Sequence, residues 1–228
     1  MKLILENRKH EVPGVESFIF KPSEPVMWKA GQFFHYVLHH EPTDDRGSDR
    51  WFTIATAPSE KTVMVTTRFA DDKRSTFKKA FANLKIGDAI EISDLGGDFT
   101  VEDLTKEYVF IAGGIGITPF RSILKDLDQS GKQVPITLLY ANRDQNIVYK
   151  EELGAFAKNN PNLTIHFIIS PERIDVAKIK EFFPDMQKPM FYISGPEPMV
   201  ESLGNALKEA GITADHLKQD WFPGYPAE

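Results

Sequence analysis

Hydrophobic and polar positions change rhythm partway along the chain. Up to about residue 100, short segments alternate or run apolar: KLILENRKH, ESFIFK, QFFHYVLHH, WFTIAT, TVMVTTRFA and DAIEIS, separated by Pro, Gly and Asp turns. Such segments line one face of a strand with apolar side chains. One stretch breaks the pattern. STFKKAFANL sets Phe77, Phe81 and Leu84 at helical spacing behind Ser75, a hydroxyl suited to an N-cap. Six strands with one helical insert predict a small antiparallel β-barrel.

After GGDFTVEDLTKE, strand-like runs alternate with helical patterns. YVFIA, ITLLYA, LTIHFII and MFYIS are the strands; Phe120, Ile123, Leu124 and Leu127 mark one helix face, and Met199, Leu203, Leu207 and Ala210 another. Strand–helix alternation predicts a parallel sheet covered on both sides, a Rossmann-like α/β domain. The expected fold class is therefore β + α/β, with a barrel over 1–104 and an α/β domain over 105–228. The boundary falls near residues 100 to 106.

Composition narrows the chemistry. The 228 residues carry a net charge of −6 with no basic block, which argues against a nucleic-acid partner. No apolar run approaches membrane-spanning length and no leader pattern opens the chain, so the expected location is cytoplasmic. There is no cysteine, which removes disulfides, thiolate nucleophiles and in-chain iron–sulfur centres. Redox chemistry here requires an organic cofactor.

Two segments are candidates for holding one. YVFIAGGIGITPFRSIL runs from strand through a glycine turn into a helix, with Thr118 placed as N-cap and Pro119 at the first helical position. Gly113, Gly114 and Gly116 leave room for a pyrophosphate on the free N–H groups, or serve a tight turn for steric reasons alone. A second Gly/Pro turn, Ser194-Gly195-Pro196, ends another parallel strand on the same sheet edge. In the barrel half, Arg74, Ser75 and Thr76 precede a helix, either as an ordinary cap beside a solvated arginine or as a phosphate site. Arg50, Phe52, Thr53 and Thr56 on a nearby strand combine a cation, flat rings and hydroxyls, suited to a phosphate-bearing aromatic cofactor. Two such sites predict two nucleotides meeting between the domains.

At these residues the chain resembles the ferredoxin–NADP reductase family over nearly its whole length. Arg50-Trp51-Phe52-Thr53 is similar to the family's Arg-x-Tyr/Phe-Ser/Thr flavin motif. AGQF at 30–33, GGDF at 96–99, RST at 74–76, GGIGITP and SGPEPM are similar to its further signatures. The resemblance implies FAD against Phe52, with Thr53 near the flavin N5 and Arg50, Arg74, Ser75 and Thr76 on phosphate. Trp51 and Thr67 belong to the same flavin-side set. Gly114, Gly116, Thr118 and Pro119 would meet the pyridine nucleotide, with Gly195, Pro196 and Met199 closing the other side. The tail DWFPGYPAE resembles segments that cover the flavin, through Trp221, Phe222 or Tyr225, although terminal aromatics also serve as simple anchors. Where many members have cysteine before Gly-Pro, this chain has Ser194, a hydrogen-bond donor beside the nicotinamide.

The implied reaction is hydride transfer from NADPH or NADH to flavin, with Thr53 and Ser194 at the reacting atoms. Length and composition leave no fused ferredoxin or haem domain. Electrons are expected to leave for a separate acceptor, such as a ferredoxin, an oxygenase component or a small molecule. Arg143, at the end of the second parallel strand, favours a 2′-phosphate and hence NADPH; Asp144 beside it would suit a free 2′-hydroxyl. The alternatives are a reductase of free flavins or small acceptors, and a nucleotide-sensing subunit without turnover. His35, His39 and His40 lie close in sequence but predict no metal site, since no second element converges on them. Oligomeric state and acceptor identity are open at this level.

Overall fold

The computed structural model describes residues 1–69 and 75–222, with Phe222 described by its backbone only. The chain divides into two compact units, Met1–Thr100 and Val101–Glu228.

The first unit contains β1 (Lys2–Val12), β2 (Val15–Pro22), β3 (Phe33–Val37), β4 (Asp49–Thr53), β5 (Val63–Arg68), α1 (Thr76–Ala82) and β6 (Ala89–Gly96). Among the described residues the six strands form one antiparallel sheet in the order β4-β3-β6-β1-β2-β5. The edge strands β4 and β5 are consecutive in the chain. Just past β4 the Ala55 N–H donates to the Met64 carbonyl at 2.8 Å, which curls the sheet toward the expected barrel. β1 and β2 close as a hairpin on Pro13-Gly14, with Val12 opposite Val15 and Gly14 at φ +75. That turn needs a left-handed second residue, which glycine supplies without strain.

The alternation read from sequence becomes an inward face: Leu3, Leu5, Phe18, Phe20, Phe34, Tyr36, Ile90 and Ile92 are buried together. Helix α1 seals this core with Phe77 and Phe81, the latter 4.5 Å from the Phe18 ring. Each such phenylalanine contributes about 2–3 kcal/mol through burial. The third strand is shorter than QFFHYVLHH suggested. It ends at Val37, and a loop follows, turned by Gly47 at φ +74.

The second unit contains β7 (Tyr108–Gly113), α2 (Thr118–Gln129), β8 (Ile136–Asn142), α3 (Lys150–Asn159), β9 (Leu163–Ile169), α4 (Val176–Phe182), β10 (Met190–Pro196), α5 (Glu197–Glu209) and β11 (Leu217–Phe222). The strands pair in parallel, in the order β11-β10-β7-β8-β9. β7 and β10 are buried along nearly their whole length, as strands covered on both faces must be. The chain steps from β7 to β8 to β9, then returns across β7 to lay down β10. The carboxyl ends of β7 and β10 therefore flank the topological switch point, where sheets of this kind leave a crevice.

β11 is not legible in the sequence. Lys218, Gln219 and Asp220 interrupt any apolar run, and β10 supplies the pairing partner that makes this segment a strand. Gln219 also donates from Nε2 to the Val200 carbonyl at 3.0 Å, tying the strand to α5.

Candidate functional site

At the switch point of the second unit, β7 ends in Gly113 and runs directly into a 3-10 turn, Gly114–Ile117, which continues as α2. Helical geometry thus starts four residues before Thr118. Thr118 is not the N-cap of a helix opening there, since it has helical angles (φ −58, ψ −46) and Ile117 before it is helical too. Pro119 lies in the first turn of α2, where its missing N–H is harmless. Both are buried. The N–H groups without a helical acceptor are accordingly those at the start of the glycine turn.

The glycines there answer to different demands. Gly114 takes φ +50, a left-handed conformation that side chains disfavour. Gly116 is a steric necessity: a Cβ would lie 2.6 Å from the Gly195 Cα and closer still to the Ser194 carbonyl oxygen. The turn rests directly on the backbone of β10. Gly113 and Gly195 are closed on by Met199: its Sδ would lie 2.6 Å from a Cβ at Gly113, and its Cε 2.8 Å from a Cβ at either glycine. Ser194, Gly195, Pro196 and Met199 are thus brought together with the glycine turn. The Ser194 hydroxyl at this junction is fully buried and has no hydrogen-bond partner among the described residues.

In the first unit, β4 carries Arg50, Trp51, Phe52 and Thr53 opposite Tyr36, His35, Phe34 and Phe33. Alternation along the strand puts Arg50 and Phe52 on one face. The Arg50 guanidinium lies 5.2 Å over the Phe77 ring, and Phe52 lies 6.0 Å from the same ring. Trp51 does not share that face. It is 50 % exposed, stacked on His35 at 4.6 Å and edge-on to Phe33 at 5.3 Å. Thr53 is buried at the strand end, and its Oγ1 has no partner among the described residues. Thr67 is buried on β5 opposite Glu16.

Arg50 Nη1 donates to the carbonyls of Arg46 at 2.7 Å and Asp49, while Nη2 is buried without a partner among the described residues. Burial pulls the guanidinium below its usual pKa, against the attraction of Asp44. A partly desolvated cation with an open donor is suited to receive an anion.

The α1 end is differently placed. Ser75 is the N-cap, accepting from Lys78 N at 3.2 Å. Thr76 N donates to Asp44 Oδ2 at 2.8 Å, and Thr76 Oγ1 accepts from Asp44 N at 3.0 Å. His40 Nε2 meets the same hydroxyl at 3.0 Å, while its Nδ1 is 2.7 Å from the Leu38 carbonyl. A carboxylate of the chain itself therefore stands where the sequence motif suggests a phosphate. In the sequence Asp44 stands only among the acidic residues that follow His39 and His40, and no phosphate motif includes it.

His35 is engaged at both nitrogens, by Asp49 and Ser93, and among the described residues no group of three side chains could hold a metal ion. Arg143 is exposed just beyond β8, and Asp144 beside it accepts from Asn146 N at 2.7 Å. Arg74 and Tyr225 lie outside the described residues. Of the aromatic tail, Trp221 is 49 % exposed and paired in register with Gly195. Among the described residues no helix is long and apolar enough to cross a membrane.

Buried donors without partners are rare in folded chains and point to a group supplied from outside. Among the described residues, Thr53 Oγ1, Arg50 Nη2 and the core Tyr36 hydroxyl in one unit and Ser194 Oγ in the other are such donors, and three of these stand at the candidate sites. A flat, phosphate-bearing group fits Thr53 and Arg50, placed on one strand beside Phe52. A nucleotide fits Ser194, at the mouth of a glycine turn.

Residues 110–204 match the family model described as the oxidoreductase NAD-binding domain. The chain is 28% identical, over 87% of its own length and 57% of the relative's, to the ferredoxin reductase component of the 3-ketosteroid-9-alpha-monooxygenase of Rhodococcus rhodochrous. It is 27% identical, over 89% of its length and 63% of the relative's, to the ferredoxin–NAD(P)(+) reductase component of the naphthalene 1,2-dioxygenase system of Pseudomonas putida. The chain thus spans more than half, but less than two thirds, of the length of these curated relatives. The ferredoxin-NADP+ reductase of Plasmodium falciparum superposes with a TM-score of 0.83 at 20% identity, covering 97% of this chain and 95% of that one. An NAD-binding domain model thus matches within the second unit, reductase components are among the chain's relatives, and its fold is that of the ferredoxin-NADP+ reductase it superposes on.

Proposed function

We propose that the chain is an FAD-dependent NAD(P)H oxidoreductase that passes electrons to a separate acceptor. The observation that carries this reading is that three of the four buried donors without a partner among the described residues stand at the two candidate sites: Thr53 Oγ1 and Arg50 Nη2 on β4, and Ser194 Oγ at the switch point, the fourth being the Tyr36 hydroxyl in the core. A bound flavin and nicotinamide supply the chemistry, a hydride taken from the reduced pyridine and electrons released onward. The chain's residues bind and orient. Phe52 offers a ring face, Arg50 a cation for phosphate, and Thr53 a hydroxyl near the flavin N5. In the second unit the glycine turn presents N–H groups to the pyrophosphate. Ser194 donates beside the nicotinamide, and Met199 and Pro196 pack close to Gly113.

Reductase components among the relatives support an acceptor such as a ferredoxin or an oxygenase component. The exposed Arg143 supports NADPH over NADH, because an arginine can meet a 2′-phosphate.

The test is anaerobic reduction. The purified protein, loaded with FAD, should be yellow and should bleach on addition of NADPH or NADH in stopped flow. NADPH should act at the lower concentration, and Arg143→Ala should erase that difference. A protein that stays colourless with added FAD, or a bound flavin indifferent to both coenzymes, would end this reading.

A further inference from the structure

The glycine turn is gripped from the neighbouring strand. Tyr140 on β8 is fully buried, yet its hydroxyl donates to the Gly114 carbonyl at 3.0 Å. Within an apolar run such as ITLLYA, a tyrosine reads simply as core, so this role has no sequence signature.

That one bond also orients the neighbouring N–H. A trans peptide is planar, and its carbonyl and following N–H point in opposite directions. Holding the Gly114 oxygen against β8 therefore turns the Ile115 N–H the other way, toward the open start of the helical run. There the first N–H groups have no acceptor within the helix. The peptide needs holding, because Gly113, Gly114 and Gly116 give the backbone on either side unusual freedom. The Tyr140 ring is fixed in turn by its complete burial; Phe167 on β9 is a tilted neighbour 6.2 Å away.

We propose that Tyr140 is a positioning residue for the nucleotide turn: its hydroxyl sets the Gly114–Ile115 peptide so that the Ile115 N–H faces the phosphates of the coenzyme. It acts through the peptide, not on the coenzyme itself. This rests on the reading of the turn as the nicotinamide-nucleotide site.

The experiment is a calorimetric titration of the FAD-loaded protein with NADP+ and with NAD+, comparing wild type, Tyr140→Phe and Phe167→Leu. Tyr140→Phe keeps the ring and removes only the hydroxyl. Its Kd for the preferred coenzyme should rise about tenfold, and its KM for the reduced coenzyme likewise, with kcat within about twofold. Phe167→Leu loosens the packing of the same ring and keeps the hydroxyl; it should bind as wild type does. An unchanged Kd in Tyr140→Phe overturns the role of Tyr140 alone. An equal rise in Phe167→Leu overturns it too, because ring packing would then explain the effect. Failure of the wild type to bind either coenzyme would instead remove the reading of the turn on which this inference stands.

Discussion

Thr76 and Asp44 hold each other by two hydrogen bonds, Thr76 N to Asp44 Oδ2 at 2.8 Å and Asp44 N to Thr76 Oγ1 at 3.0 Å. The pair straps the loop between β3 and β4 to the start of α1. It also places a negative charge beside Arg50, whose attraction to Asp44 opposes the effect of burial. The Thr76 N–H, followed by further bonds and the charge of Arg46, holds the Asp44 carboxyl below its usual pKa.

A carboxylate held this way stabilises the fold when ionised. Its contribution is complete above the ordinary carboxylate value and is lost as pH falls through the lowered one, so the window lies below about pH 4. Urea midpoints of wild type and Asp44→Asn should differ at neutral pH and converge toward pH 3. The same substitution removes a like charge from the proposed phosphate site, so FAD should bind the apoprotein a few-fold more tightly. Weaker FAD binding by Asp44→Asn would show that the strap helps to build the site.

Thr53→Ala removes the unpartnered hydroxyl at the end of β4. Flavin reduction at saturating NADPH should slow more than tenfold, with the flavin still bound through Arg50 and Phe52. An unaltered stopped-flow rate would take Thr53 out of the reaction.

Two glycines in the second unit should respond oppositely to alanine. At Gly116 the new Cβ runs into the backbone of β10, 2.6 Å from the Gly195 Cα, which no side-chain rotation relieves. Gly116→Ala should destabilise by about 3 kcal/mol, with loss of coenzyme binding. Gly154, inside α3, has nothing within 4 Å of its added Cβ. Gly154→Ala should stabilise by about 1 kcal/mol, since alanine restricts the unfolded chain and favours the helix. Denaturant titrations of both variants check the signs.

His166 on β9 lies 4.3 Å from the Phe182 ring of α4. Burial, and then the charge of Lys178, keep its pKa below the ordinary histidine value. Lys178 is itself paired with Glu172 and Glu181. Between the lowered value and about 6.5 the unfolded chain binds a proton that the folded one refuses, so stability rises with pH there and falls on acidification. Tm should drop further between pH 7.5 and 5.5 in wild type than in His166→Gln. Parallel melting curves for the two would remove His166 as the source.

Much of the architecture is written in local patterns. Period-two alternation reveals the inward face of the first unit, down to Phe18, Phe20 and Phe34, because a pleated strand turns alternate side chains to one side. The helical spacing of Phe77 and Phe81 and the cap at Ser75 likewise need no partner to be read. β11 escapes because a polar edge strand exists only through the neighbour that pairs with it. The start of α2 is misread because the glycine turn is helical in space while its composition reads as a break.

The sequence by itself determined the two-unit order, the strand-and-helix rhythm and the positions of Arg50, Thr53, Ser194 and the glycine turn. These depend on periodicity and on residue types close together in the chain. Tertiary structure alone decided that Asp44 straps Thr76, that Gly116 must clear the backbone of Ser194, and that Tyr140 grips Gly114. Tyr140 and Gly114 are 26 positions apart and Asp44 and Thr76 are 32 apart, while Gly116 and Ser194 belong to elements separated by most of the second unit. No local pattern encodes such a contact; only the crossing of strands in the sheet and the return of the chain onto α1 bring these atoms together.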